Sequence, residues 1–278
     1  MFLLPFLSGT MSLLSPFLGM ILVMYFSAKV LGPALVSPQR TIILFFVMPI
    51  LVLMIDGRHG DTPLIAFDAI FGVGLVVYVF LLTLRRNQVL SEALLAGILV
   101  IVVYSLARMY IFGGILSNAY QEGMQIMKEQ MPVFLDNEYM QFSTRMWETM
   151  MPAFWGVGQI FALLIGYFIF HRTIHIPFVP GDVKFTVFFN ILILAALPLY
   201  LFEATKALFI NSLILLCTVP LIQGFFLAWT HLSRVVSNNI IKSIIMFVLL
   251  IYAFIPLILI GFADSWMTGN NTRGGKTA

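Results

Sequence analysis

Apolar runs alternate with short polar connections along the whole chain. The runs are close to the roughly 20 residues that cross a hydrocarbon core of about 30 Å. They place spans near 2–30, 41–56, 64–84, 92–116, 150–171, 185–202, 207–230 and 241–263. Runs this uniform mean helices, because a helix satisfies its own backbone hydrogen bonds in lipid. The first run carries Pro5 and Pro16 and is expected to kink or split into two short helices. The expected fold is all-α: a single transmembrane domain over 1–278, a polytopic bundle of about eight helices.

One sizeable polar stretch interrupts the rhythm, "NAYQEGMQIMKEQMPVFLDNEYMQFSTRMWETM" at 118–150. Tyr120, Met124, Met127 and Met131 recur at helical spacing, an amphipathic stripe that Pro132 ends; Tyr139, Phe142 and Met146 continue it. Two readings stand beside each other: an interfacial helical hairpin outside the membrane, or a lid over a binding site. A methionine-ligated Cu(I) site lacks the histidine or cysteine that would support it, so no metal is assigned.

Composition agrees with the pattern. Hydrophobic residues make up 61% of the chain and charged ones 10%. No soluble domain of this size could hide so much apolar surface. The net charge of +3 is small and dispersed, which excludes a nucleic-acid partner and leaves the lipid bilayer as the obvious one. Cys217 is the only cysteine, so no intrachain disulfide forms. The first residues lack a basic stretch and a small-residue cleavage site, and are read as part of the mature protein.

Lysine and arginine set the expected orientation. Lys29, Arg40, Arg85, Arg86, Arg172, Lys184, Arg234 and Lys242 fall on one side with only Glu92 and Asp182. That side is read as cytoplasmic, which puts both termini and the 117–149 segment outside.

Polar residues inside the apolar runs carry the candidate chemistry. "VIVVYSLARMYIFGGILS" at 100–117 buries Arg108 on one helical face with Tyr104 and Ser105. An ionised side chain there costs at least about 2.5 kcal/mol. Either its span ends early and the guanidinium snorkels to the headgroups, or it faces the bundle interior and meets a carboxylate or an anionic ligand. The threading brings Asp56, Asp68, Arg108, Glu203, Lys206 and Asp264 toward the outer leaflet, and Asp68 and Arg108 could meet across antiparallel helices. Glu203 and Lys206 make either a local ion pair or part of that cluster. Gln223, in mid-span, either bonds to a neighbouring helix or lines a pocket; Asn190 and Gln159 pose the same choice. The candidate ligand set is Arg108, Asp68, Tyr104, Glu203, Lys206 and Gln223. On this reading Arg108→Leu abolishes ligand binding and leaves the bundle folded.

Gly158, Ala162 and Gly166 stand four apart, a small-residue face for helix packing. Trp155, Trp229 and Trp266 lie near span ends and read as interfacial belt residues. His171 and His175 stand four apart beside prolines, which argues against a helical metal pair. The closing "NNTRGGKTA" lacks the spacing, strand and helix of a phosphate-binding loop. No nucleophile–base constellation and no cofactor site is visible, so catalytic residues are not assigned and an enzyme is not expected.

The second half resembles the YybS-like family of bacterial integral membrane proteins, a domain without assigned function. The resemblance lies in "FHRTIHIPFVPGDVKFTVFFNILILAALPLYLF", in "LIQGFFLAWTHLSR" with its Gln-Gly pair, and in the closing "LILIGFADSW" with its Leu-Gly-x-x-Asp, covering roughly residues 165–266. "LRRNQVLSEALLAG" adds a weaker likeness in the first half. That family is similar in fold to the substrate-capturing subunits of energy-coupling-factor vitamin transporters. The resemblance implies a protein of the bacterial cytoplasmic membrane that captures a small molecule from outside. The alternative is a scaffold or regulatory partner of another membrane-protein assembly. More spans than the six typical of those subunits set the chain apart from them.

Overall fold

A computed structural model describes residues 3–31, 38–57, 59–130, 138–176, 178, 180, 183 and 185–274. Helices account for nearly all of them, and no strand occurs among the described residues. Among the described residues, four helices are long and apolar enough to cross a membrane: Thr62–Asn87, Leu90–Ile111, Phe142–Thr173 and Glu203–Val235. A fifth crossing is available if Asn239–Tyr252 and Phe254–Met267, which meet at 97°, count as one broken span. This is a helical membrane protein.

The helices in chain order are α1 (Leu3–Leu14), α2 (Pro16–Leu31), α3 (Pro38–Asp56), α4 (Thr62–Asn87), α5 (Leu90–Ile111), α6 (Gly113–Gln130), α7 (Glu138–Thr173), α8 (Phe188–Leu201), α9 (Lys206–Val235), α10 (Asn239–Tyr252) and α11 (Phe254–Gly274). Four of the eight predicted spans are present as single helices of crossing length. The others are shorter or broken, for reasons that lie in the chain.

The run at 2–30 breaks at Ser15, where Pro16 cannot donate a backbone hydrogen bond. A β-carbon on Gly19 would lie 2.6 Å from Ser12 Cα. Seven residues of continuous helix would separate those positions by about 10 Å, so α1 folds back along α2 instead of prolonging it. Pro256 has the same effect near the other end. It removes the amide that would bond to Tyr252 and its ring crowds that carbonyl. The run at 241–263 therefore turns at Ala253, between α10 and α11. The 92–116 span ends early, at Ile111, before the Gly113–Gly114 pair.

The hydropathy rhythm reads as one domain over 1–278, but the contacts divide the chain into two compact units, Met1–Ile176 and Pro177–Ala278. The division falls where α7 stops. His175 takes a left-handed φ of 56°, and the Ile176 amide bonds back to the His171 carbonyl at 3.2 Å. That bond closes the helix C-terminus in the manner of a Schellman turn. His171 and His175 consequently do different things: the first is buried with its ring 4.7 Å from Tyr167, the second forms the turn.

In the first unit α4 packs against α1, α2, α3 and α5. Ala66, Ala69, Val73, Val76, Val77 and Phe80 of α4 have no exposed surface. Lipid is as apolar as these side chains, so close packing rather than water exclusion holds such helices together. Part of α4, Asp68–Leu75, is wound as a π-helix. Small residues there let neighbours in: a β-carbon on Gly74 would lie 2.7 Å from the Phe45 ring. The small-residue face of α7 is only partly used. Ala162 is fully buried, and a β-carbon on Gly166 would press on the Met24 side chain at 2.8 Å. Gly158 faces open space within 4 Å, so its expected packing role is not realised.

The second unit is built on α9 and α11, whose backbones touch. A β-carbon on Gly224 would overlap the Leu257 carbonyl, and one on Gly261 would overlap the Pro220 carbonyl. Residues rising along α9 thus meet residues falling along α11, and the two helices run antiparallel.

Candidate functional site

Gln88 ends α4 in a left-handed conformation, φ 57°, and sends α5 back antiparallel to it. The turn fixes the depth at which their polar residues meet. Asp68 opens the π-helical stretch of α4, and Arg108 lies in the last turn of α5. Arg108 Nε donates to Asp68 Oδ1 at 2.7 Å and Nη2 donates to Oδ2 at 2.9 Å, a bidentate pair. The Tyr104 hydroxyl donates to the same Oδ1 at 2.8 Å. Asp68 is 5% exposed and Arg108 7%.

Arg108 is therefore tolerated because a carboxylate neutralises it inside the bundle; it does not snorkel. Its guanidinium also lies 4.6 Å from the centre of the Trp155 ring, a cation–π contact on the remaining face. Trp155 was expected in an interfacial belt. Instead it packs edge-on to Tyr104 at 5.6 Å and over the ion pair. Gly72 makes the room, since a β-carbon there would lie 2.8 Å from Trp155 Cη2. Nothing in the sequence near Trp155 announces this, because its partner is a glycine on another helix.

In front of the pair stands a ladder of rings. Phe112 meets Phe67 at 5.4 Å, Phe67 meets Phe71 at 5.3 Å, and Phe71 stacks on Tyr104 at 5.9 Å. Phe67, Phe71 and Tyr104 form the floor of an open groove of about 440 Å³, walled by Leu75, Leu99, Val100, Val103, Ala107 and Ile111. The groove runs along the face where α4 and α5 meet and is lined by apolar atoms. The spacing of 67, 71 and 75, and of 99, 103, 107 and 111, is helical. It is invisible as a stripe, because both helices are apolar all round.

The polar segment after α5 has the expected helical limbs. The Tyr120 hydroxyl on α6 donates to the Thr144 carbonyl on α7 at 2.7 Å. Tyr120 on α6 and Arg108 on α5 thus both contact α7, at Thr144 and Trp155 respectively. Partial burial, reinforced by the charge of Glu148, holds the Tyr120 hydroxyl above its ordinary pKa, which suits a hydrogen-bond donor. No residue of α6 is buried, and Ile126, Met127, Phe142 and Trp147 are all exposed. Met131, Pro132 and the Tyr139 side chain lie outside the described residues.

The remaining candidates fall elsewhere. Glu203 and Lys206 pair with each other at 2.5 Å in the second unit, both exposed. An exposed ion pair contributes little to stability, because water screens it. Asp56 serves a surface turn, accepting from Thr62 Oγ1 at 2.9 Å beside His59. Gln223 meets none of these: its amide donates to Asp264 Oδ2 at 2.6 Å. Of the six candidate ligand residues, Asp68, Tyr104 and Arg108 come together, and both carboxylate oxygens, the hydroxyl and two guanidinium nitrogens are engaged with one another. No family model, curated protein or solved structure matches the chain.

Proposed function

We propose that the chain is a bacterial cytoplasmic-membrane protein that binds a small, mainly apolar molecule at its outer face, in the manner of a transporter's capturing subunit. The observation that carries this reading is the groove of about 440 Å³ on the α4–α5 face, floored by Phe67, Phe71 and Tyr104. Ligand pockets of a few hundred Å³ with aromatic and aliphatic walls are the common form of small-molecule site. The charges play a supporting part. Asp68 and Arg108 satisfy each other and tie α4 to α5 behind the groove, so shape and ring stacking select the ligand. The resemblance to the YybS-like family points the same way, and no catalytic role is assigned.

The reading includes a threading. Of the eight apolar runs, seven cross, with α3 and α8 as short crossings and α10–α11 as a broken one. The α1–α2 hairpin enters and leaves on the Lys29 side, which moves the start of α1 from the outside to the cytoplasmic side. The α6–α7 hairpin projects outward.

Val103 is 60% exposed on the wall of the groove. Val103→Trp is expected to fill the groove and leave the buried pair untouched. In a thermal-shift screen against apolar vitamins, nucleobases and related small molecules, at least one compound raises the melting temperature of the parent. The same compound has no effect on Val103→Trp, whose ligand-free melting temperature stays within about 2 °C of the parent, as for a surface change. A variant that responds as the parent does places the ligand elsewhere.

A scaffold role is the second reading. The exposed Ile126, Met127, Phe142 and Trp147 side chains of α6 and α7 favour it, since exposed apolar side chains beyond the span suit a membrane-protein partner.

A further inference from the structure

We propose that Asp264, held by Gln223 and flanked by Asn190, binds a monovalent cation, Na⁺, within the membrane-spanning part of the second unit. This goes beyond the groove and is independent of it: either can fail without the other.

Depth comes first. Gln223 lies about 6 Å along the axis from the middle of the apolar span Glu203–Val235. The Gly224–Gly261 crossing locks α11 to α9 at this level. Asp264, one turn past Gly261, is thereby carried well inside the span. The sequence had placed it at the outer end, because the run at 241–263 was read as a straight crossing.

Charge comes second. Asp68 in the first unit has Arg108, but no lysine, arginine or histidine pairs with Asp264 among the described residues. Its only hydrogen-bond partner among the described residues is a neutral amide, Gln223 Nε2, on Oδ2. The orientation of that amide is fixed, since Gln223 Oε1 accepts from the Phe185 backbone amide at 3.3 Å. A carboxylate at this depth with only an amide beside it is costly, and ionisable residues in such places mark ion or substrate paths.

Chemistry comes third. Oδ1 of Asp264 accepts no hydrogen bond among the described residues. On the neighbouring residue Ser265, Oγ accepts from Asn190 Nδ2 at 2.5 Å, and Nδ2 also donates to the Phe262 carbonyl at 3.1 Å. Both bonds use the nitrogen of Asn190, which leaves its amide oxygen as an acceptor. A carboxylate oxygen and an amide oxygen are hard ligands, of the type that takes cations such as Na⁺ rather than soft metals.

The test is a melting-temperature titration of the full-length protein in lipid nanodiscs, with NaCl replacing choline chloride at constant ionic strength and pH. We expect a saturable rise in the parent. We expect it lost in Asp264→Asn, retained in Glu203→Gln, and shifted to several-fold higher Na⁺ in Asn190→Ala. Three results overturn the proposal: no saturable rise in the parent, a rise undiminished in Asp264→Asn, or stabilisation by acid with no response to Na⁺, which would mean that a proton neutralises the carboxyl. Should Asp264→Asn not fold, the parent titration and the Asn190→Ala midpoint decide the matter.

Discussion

Arg108→Leu destabilises the protein by about 3–5 kcal/mol, the usual cost of leaving one partner of a buried ion pair uncompensated. The structure reverses the expectation drawn from the sequence, in which this change removed only a ligand contact. Both Arg108 nitrogens that face Asp68 are engaged, at 2.7 and 2.9 Å, and the carboxylate is 5% exposed. Leucine would strand Asp68 among aromatic rings, with only the Tyr104 hydroxyl to bond it. Asp68→Leu/Arg108→Leu is therefore the informative variant. Replacing a buried pair by apolar residues is often neutral or stabilising, and the double change is expected to regain most of the loss. Unfolding in mixed micelles, run as a double-mutant cycle, reads both. A double variant as unstable as the single would show that the pair is not the isolated unit the geometry describes. Because the groove lies in front of the pair, the double variant is also expected to keep any ligand response.

The second large effect lies in the other unit. Gly224→Ala places a methyl group on the Leu257 carbonyl. The obstacle is backbone, which cannot rotate away, so α9 and α11 must part. Overpacking of this kind costs about 1–3 kcal/mol. Separation of the helices also stretches the 2.6 Å bond between Gln223 and Asp264. Gly158→Ala is the control: the same chemical change meets nothing within 4 Å. In a helix interior it is expected to be neutral or to stabilise by up to about 1 kcal/mol. Equal losses in the two variants, measured by thermal unfolding, would contradict the crossing.

Much of this was legible in the chain. Length and hydropathy gave the helical membrane class, Pro16 the break in the first run, and antiparallel threading the encounter of Asp68 with Arg108. The sequence also placed Tyr120 on a helical segment. Other features depend on which face of a helix meets which neighbour. An amphipathic helix declares its buried face by contrast, but α4, α5 and α9 are apolar all round, so the contrast is lost. Gly158 and Gly224 look alike in a sequence, and only docking decides that one is open and the other closed. Trp155 owes its place over Arg108 to Gly72, far away in the chain. The turn at Ala253 had a signal in Pro256, yet the uniform hydropathy around it suggested a straight span. That turn sets Asp264 beside Gln223 rather than at the end of a straight helix.

The reading as a whole requires that the end of the α4–α5 pair bearing the groove face the outside. Cysteine accessibility in intact cells measures this most directly, in a Cys217→Ser background that removes the only native thiol. A membrane-impermeant maleimide is expected to label Glu122→Cys, on exposed α6, in intact cells. It is expected to label Asn87→Cys, in the α4–α5 turn, only after lysis. The reverse pattern would place the groove on the cytoplasmic side and contradict capture from outside.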